Sequence, residues 1–160
     1  MEQQETQYSH TQKGWLHVFL YAAAAVMMPF LWVPGIEPFM VVVLVAAALA
    51  LVTCGMAFQT LTVEDEGRHL AIRFGPLPLF RKRIPYDRIT DARPGRSRFI
   101  DGWGIHYVPG RGWTYNLWGF DCVEIRLGRK LIRVGTDDVA GLLAFLQSKI
   151  PDGRLASERT

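Results

Sequence analysis

Across residues 14–63 the only formally charged side chain is Glu37, which stands between Pro34-Gly35 and Pro38. A continuous apolar run lies on either side of it, predicting helices over 15–33 and 39–58 joined by a short turn. A hydrocarbon core about 30 Å thick takes roughly 20 apolar residues as helix, because only intrahelical bonding satisfies every backbone amide away from water. Both runs meet that length. The pattern is that of a transmembrane helical hairpin over 15–58, preceded by a polar tail over 1–14. Ala22 to Ala25 and Ala46 to Ala50 offer small faces for close packing in lipid. Trp15, Tyr21 and Trp32 suit interfacial positions near the helix ends, Pro29 is tolerable in the last turns of the first helix, and His17 reaches headgroups from its first turn.

Beyond Phe58 the period drops to two, the mark of strands with one face on a core. Leu61 and Val63 alternate with Thr60 and Thr62, and Leu70, Ile72 and Phe74 alternate with His69, Ala71 and Arg73 across a turn at Glu64-Asp65-Glu66-Gly67. Further strands are predicted over 80–84, 89–93, 103–108, 121–127 and 130–134, making seven in antiparallel order. A helix closes the series. Thr136 is placed to cap it, Asp137 and Asp138 complement its dipole, Pro151 stops it, and Val139, Leu142, Leu143, Leu146 and Ile150 share one face. The expected fold class is an α+β membrane protein. Its helical hairpin precedes a partly open seven-stranded antiparallel barrel over 59–150, capped by the C-terminal amphipathic helix, and a disordered tail follows over 151–160.

Composition alone would suggest a small nucleic-acid binder, since 160 residues carry a net charge of +3 and a pI near 9.1. The charge is uneven, however: from Gln59 onward there are 17 Lys and Arg against 12 Asp and Glu. The turn between the helices has no Lys or Arg, whereas Lys13 precedes them and Arg68, Arg73, Arg81, Lys82 and Arg83 follow, so both termini are expected on the cytoplasmic side of the inner membrane. A cleaved signal peptide is disfavoured by a Gln-, Glu- and Thr-rich start in which Lys13 is the only positive residue, and by Leu31-Trp32-Val33-Pro34-Gly35 where a small-residue cleavage motif would stand. Cys54 falls in the second helix and Cys122 in a strand, so both are expected as reduced, buried thiols.

Several segments taken together, Gly102-Trp103-Gly104-Ile105-His106-Tyr107, Gly112-Trp113-Thr114-Tyr115-Asn116, Gly119 with Val123-Glu124-Ile125, and Gly135-Thr136-Asp137-Asp138, resemble the bacterial pleckstrin-homology-like (PH-like) membrane proteins over residues 61–150. The resemblance implies a PH-like fold and a membrane-tethered setting, and it carries over no catalytic residue. Where pleckstrin-homology domains hold phosphoinositides with basic residues around the first hairpin loop, this chain has three carboxylates, which oppose that mode. Fold similarity does not license the activity.

The candidate chemistry is sparse. Arg81, Lys82, Arg83, Arg93, Arg96 and Arg98 can meet anionic headgroups at about 1 kcal/mol each near a charged surface, or serve as solvated strand edges that discourage pairing. The aromatics Trp103, Tyr107, Trp113, Tyr115, Trp118 and Phe120 are read either as barrel core or, at Trp113 and Trp118 beside Pro109-Gly110-Arg111-Gly112, as a site that binds a partner protein or dips into the headgroup layer. No glycine spacing matches a phosphate-binding loop, no Ser sits in a nucleophile elbow, and His69 and His106 lack metal-ligand spacing. No nucleic-acid reading motif accompanies the arginines. The expected function is a non-catalytic, membrane-tethered interaction module that binds a protein partner or assembles as a homo-oligomer, without cofactor, metal or nucleic acid. The alternative is a membrane-surface sensor of anionic lipid headgroups.

Overall fold

The computed structural model describes residues 7–77, 79–97 and 104–150. The chain is mixed α+β, with two sheets and three helices among the described residues. It begins with a strand, β1 (Ser9–Lys13), in the segment expected to be a tail. Helix α1 (Leu16–Met27) and helix α2 (Pro38–Ala57) follow, then β2 (Thr60–Asp65), β3 (His69–Gly75), β4 (Arg81–Pro85), β5 (Asp91–Arg96), β6 (Gly104–Val108), β7 (Gly112–Asn116), β8 (Asp121–Leu127), β9 (Lys130–Gly135) and helix α3 (Val139–Lys149).

The first helical segment departs from its expected span. Its α-helix ends at Met27 and the chain continues as a 3-10 turn over Met28–Trp32. Pro29 explains the change, because it has no N–H for an i−4 carbonyl and its ring crowds the preceding turn. Among the described residues, α2 alone is long and apolar enough to cross a membrane, at 20 residues with mean hydropathy 2.6. The two helices pack side by side. Gly55 makes this possible, since a Cβ there would stand 2.4 Å from the Tyr21 ring. Gln59 Nε2 adds a 2.6 Å hydrogen bond to the Tyr21 hydroxyl. Their outer surfaces are strongly apolar and open, with Phe19, Trp32, Phe39 and Leu49 all exposed. Cys54 also lies on the exposed side, so of the two cysteines Cys122 is the buried thiol, and neither is in a disulfide.

The helical pair is an insertion within a β-hairpin. Strand β1 pairs antiparallel with β2, Lys13 opposite Thr60 and Ser9 opposite Glu64, so the chain leaves one sheet at Lys13 and returns to it at Thr60. The junction is bonded across, Gly14 N–H to the Gln59 carbonyl at 3.2 Å and Gln59 N–H to the Gly75 carbonyl at 3.1 Å. The first sheet runs β1-β2-β3-β4, all antiparallel. In the second, ordered β5-β8-β9-β7-β6, β7 and β9 pair in parallel. Nine strands are therefore described rather than seven, and not all are antiparallel; β1 and β7 are the additions.

Both sheets face one core, in which Leu61, Ile72, Phe74 and Ile84 meet Tyr115, Val123, Ile125 and Val134. Helix α3 lies along β5 and β8 and contributes Leu142, Phe145, Leu146 and Ile150. Its cap is Asp138, whose carboxylate accepts from Gly141 N–H at 3.0 Å; the expected cap, Thr136, instead accepts from Asp138 N–H at 3.0 Å. Strand β1 also reaches this helix. Tyr8 stacks on Phe145 with ring centroids 5.2 Å apart and donates to Asp138 Oδ2 at 3.1 Å. Residues 151–160, expected as a disordered tail, lie outside the described residues.

Candidate functional site

The acidic turn between β2 and β3 is an internal counter-charge. Glu64 pairs with Arg73, and Glu66 pairs with both Arg81 and Arg83. Desolvation pushes the Glu66 carboxyl upward, but the two guanidinium groups, Arg81 first, outweigh it and hold the carboxyl below its ordinary value. Asp65 is buried, accepting from the Tyr86 hydroxyl and Gly67 N–H at 2.8 Å each, with Lys149 Nζ at 3.3 Å. All three carboxylates are thus committed within the fold, and two of the three residues in the basic run Arg81-Lys82-Arg83 are already paired.

Lys82 differs from its neighbours because side chains alternate across a strand. It shares a face with Ile84, which is fully buried, so it projects into the gap between the sheets where the core ends. From the other sheet, Trp113 shares a face with buried Tyr115 and reaches the same gap. Lys82 and Trp113 consequently line one groove of about 610 Å³, to which Arg83, Asp87, Arg88 and Lys130 also contribute, with Ile84, Leu127 and Ile132 among its apolar walls. Among the described residues no carboxylate lies within ion-pair distance of Lys82, Arg88 or Lys130. Trp113 is 44% exposed and sits opposite Tyr107 in the β6–β7 ladder, their ring centroids 5.4 Å apart.

The remaining sequence candidates are elsewhere. Arg93 bonds Asp91 at 2.6 Å on the outer edge of β5, and exposed Arg96 stands opposite Asp121 in the β5–β8 ladder. Trp118 is half-buried, and its carbonyl accepts from Gln12 Nε2 at 3.0 Å. Arg98 and Trp103 lie outside the described residues. The aromatic series therefore divides: Tyr115 belongs to the core, Trp113 to the groove, and Tyr107 packs beside Trp113. Sequence reasoning named Lys82, Arg83 and Trp113 under separate headings; it missed Arg88 and Lys130, whose adjacency depends on how the sheets face each other. Neither a scan against protein-family models nor a search of curated proteins gives a match for this chain.

Proposed function

We propose that this chain is a non-catalytic, membrane-tethered interaction module of PH-like type. In this reading α1 and α2 cross the inner membrane as a hairpin, both termini are cytoplasmic, and the groove between β4 and β7 receives a protein partner or a second copy. The α-helical part of the first span rises about 18 Å and its 3-10 turn about 10 Å, which together approach the thickness of the hydrocarbon core. The exposed aliphatic and aromatic surface of both helices supports the same placement, since water-exposed apolar patches of this kind mark a contact with lipid or protein.

The observation that carries the binding proposal is the convergence of Trp113 with Lys82 and Lys130 over an apolar floor, with the Tyr107 ring beside Trp113 at 5.4 Å. Trp, Tyr and Arg are enriched at the centre of protein interfaces, and a lining with four cations against one carboxylate, Asp87, favours a partner with acidic groups. The Glu66 pairs support a protein over a lipid surface, because they leave fewer cations for headgroups. That no described carboxylate pairs with Lys82, Arg88 or Lys130 supports the alternative, an anionic lipid.

A photoreactive residue in place of Tyr107, in the full chain in native membranes, tests the choice. The proposal expects a protein adduct, heterologous or at twice the chain mass, that Trp113→Ala and Lys82→Glu abolish. Adducts to lipid alone would contradict it and select the lipid alternative.

A further inference from the structure

We infer that the β3–β4 connection carries a second membrane contact, with Leu79 and Phe80 seated in the interfacial layer beside the end of α2. This deepens the tether proposed above and rests on it. Leu79 is 60% exposed and Phe80 41% exposed, an unusual degree for adjacent large apolar side chains at a turn between strands. They are not loosely placed. The Phe80 ring stacks on Phe58 at 5.4 Å, and Phe58 is the capping residue of α2, itself edge-on to buried Phe74 at 5.2 Å. Phe74 N–H donates to the Phe80 carbonyl at 3.0 Å, while the neighbouring Gly75 carbonyl accepts from Gln59. The connection is therefore clamped at the level where α2 ends.

The opposite helix fixes the same level independently. Gly14 is bonded to Gln59, so Trp15, 65% exposed, begins α1 beside the close of α2. Trp15, Phe58, Leu79 and Phe80 thus form an aromatic and aliphatic belt around the point where both helices enter the β domain. Aromatic side chains concentrate at this depth of a bilayer. The next residue along β4 is Arg81, followed by Lys82 and Arg83, and Glu66 already holds both arginines, so the apolar belt itself carries the inference. A lipid surface is the occupant that matches an apolar edge continuous with the two helices.

The test uses the full chain in vesicles of phosphatidylcholine and phosphatidylglycerol, with Cys54→Ala and a polarity-sensitive fluorophore on Leu79→Cys. An Arg129→Cys sample, in the β8–β9 turn, serves as the aqueous reference. The inference expects blue-shifted emission at position 79, quenching by lipids with nitroxides near the headgroup, and at least fivefold weaker quenching by iodide than at position 129. Equal iodide quenching at the two positions, in protein that resists carbonate extraction, overturns this inference and leaves the tether standing. Release of the protein by carbonate overturns both.

Discussion

Arg83 donates through Nε to Glu66 at 2.8 Å, across the turn that joins the first two strands after the helices, and Arg81 shares the same carboxylate. One acidic residue thereby occupies two of the three cations in the basic run. An exposed pair of this kind contributes about 0–1 kcal/mol, so Glu66→Gln should leave thermal unfolding nearly unchanged. Salt-sensitive binding of the full chain's β domain to anionic vesicles added from outside should rise several-fold once both guanidinium groups are released. Unchanged binding, by flotation across a salt series, would show that Glu66 does not restrain them.

Much of this organisation was legible from residue order. The apolar runs around Glu37 reported two apolar helical segments, and the alternation at Leu61 to Phe74 and the face of α3 each reported a buried side. The N-terminal strand was not legible. In Ser9-His10-Thr11-Gln12-Lys13 the inward position is Gln12, a polar side chain that bonds the Trp118 carbonyl, so no apolar alternation marks it. Strand β7 escaped for a different reason: its inward-facing pair, Trp113 and Tyr115, divides between groove and core, and its parallel partners on β9 lie 19 residues downstream. The groove was illegible because it forms only where two sheets diverge.

Strand β1 makes the helical pair inseparable from the β domain. A chain started at Gln59 loses the partner of β2 and the Tyr8 ring that covers Phe145. It should unfold at lower temperature than the full chain in detergent and aggregate through the bared edge of β2. Tyr8→Ala in the full chain should lose about 1–3 kcal/mol, read from denaturant unfolding. Equal stability would place β1 outside the cooperative unit.

Two phenols should limit alkaline stability. Burial first, and then Asp138, holds Tyr8 above its ordinary value; burial, followed by Asp65, does the same for Tyr86. In the unfolded chain tyrosine ionises near about 10, so above that pH the unfolded state releases protons that the folded state retains. Stability is then present below pH of about 10 and falls as the pH rises further. Thermal unfolding between neutral and strongly alkaline pH should show this decline, and Tyr8→Phe with Tyr86→Phe should reduce it, leaving the share of Tyr115, which burial also holds above its ordinary value. A parallel decline in the double variant would assign the effect to other groups.

Gly112 fixes where β7 meets β9. Its φ is +87° and a Cβ would stand 2.1 Å from the Leu131 carbonyl oxygen, a backbone atom that cannot step aside alone. The left-handed conformation by itself costs a side chain about 1–3 kcal/mol, so Gly112→Ala should destabilise by at least that amount and open the Trp113–Ile132 register. Amide exchange at β7 measures the opening; full protection at wild-type stability would contradict the parallel pairing.

The insertion of α1 and α2 between two paired strands is the feature on which the membrane reading depends, and cysteine labelling in intact cells tests it most directly. Glu37→Cys, in the turn between the helices, should react with a membrane-impermeant maleimide from outside, while Arg129→Cys should react only after permeabilisation. Both proteins should remain in the carbonate-washed membrane pellet. Labelling of both positions from the same side, or recovery of the chain in the soluble fraction, would contradict the account.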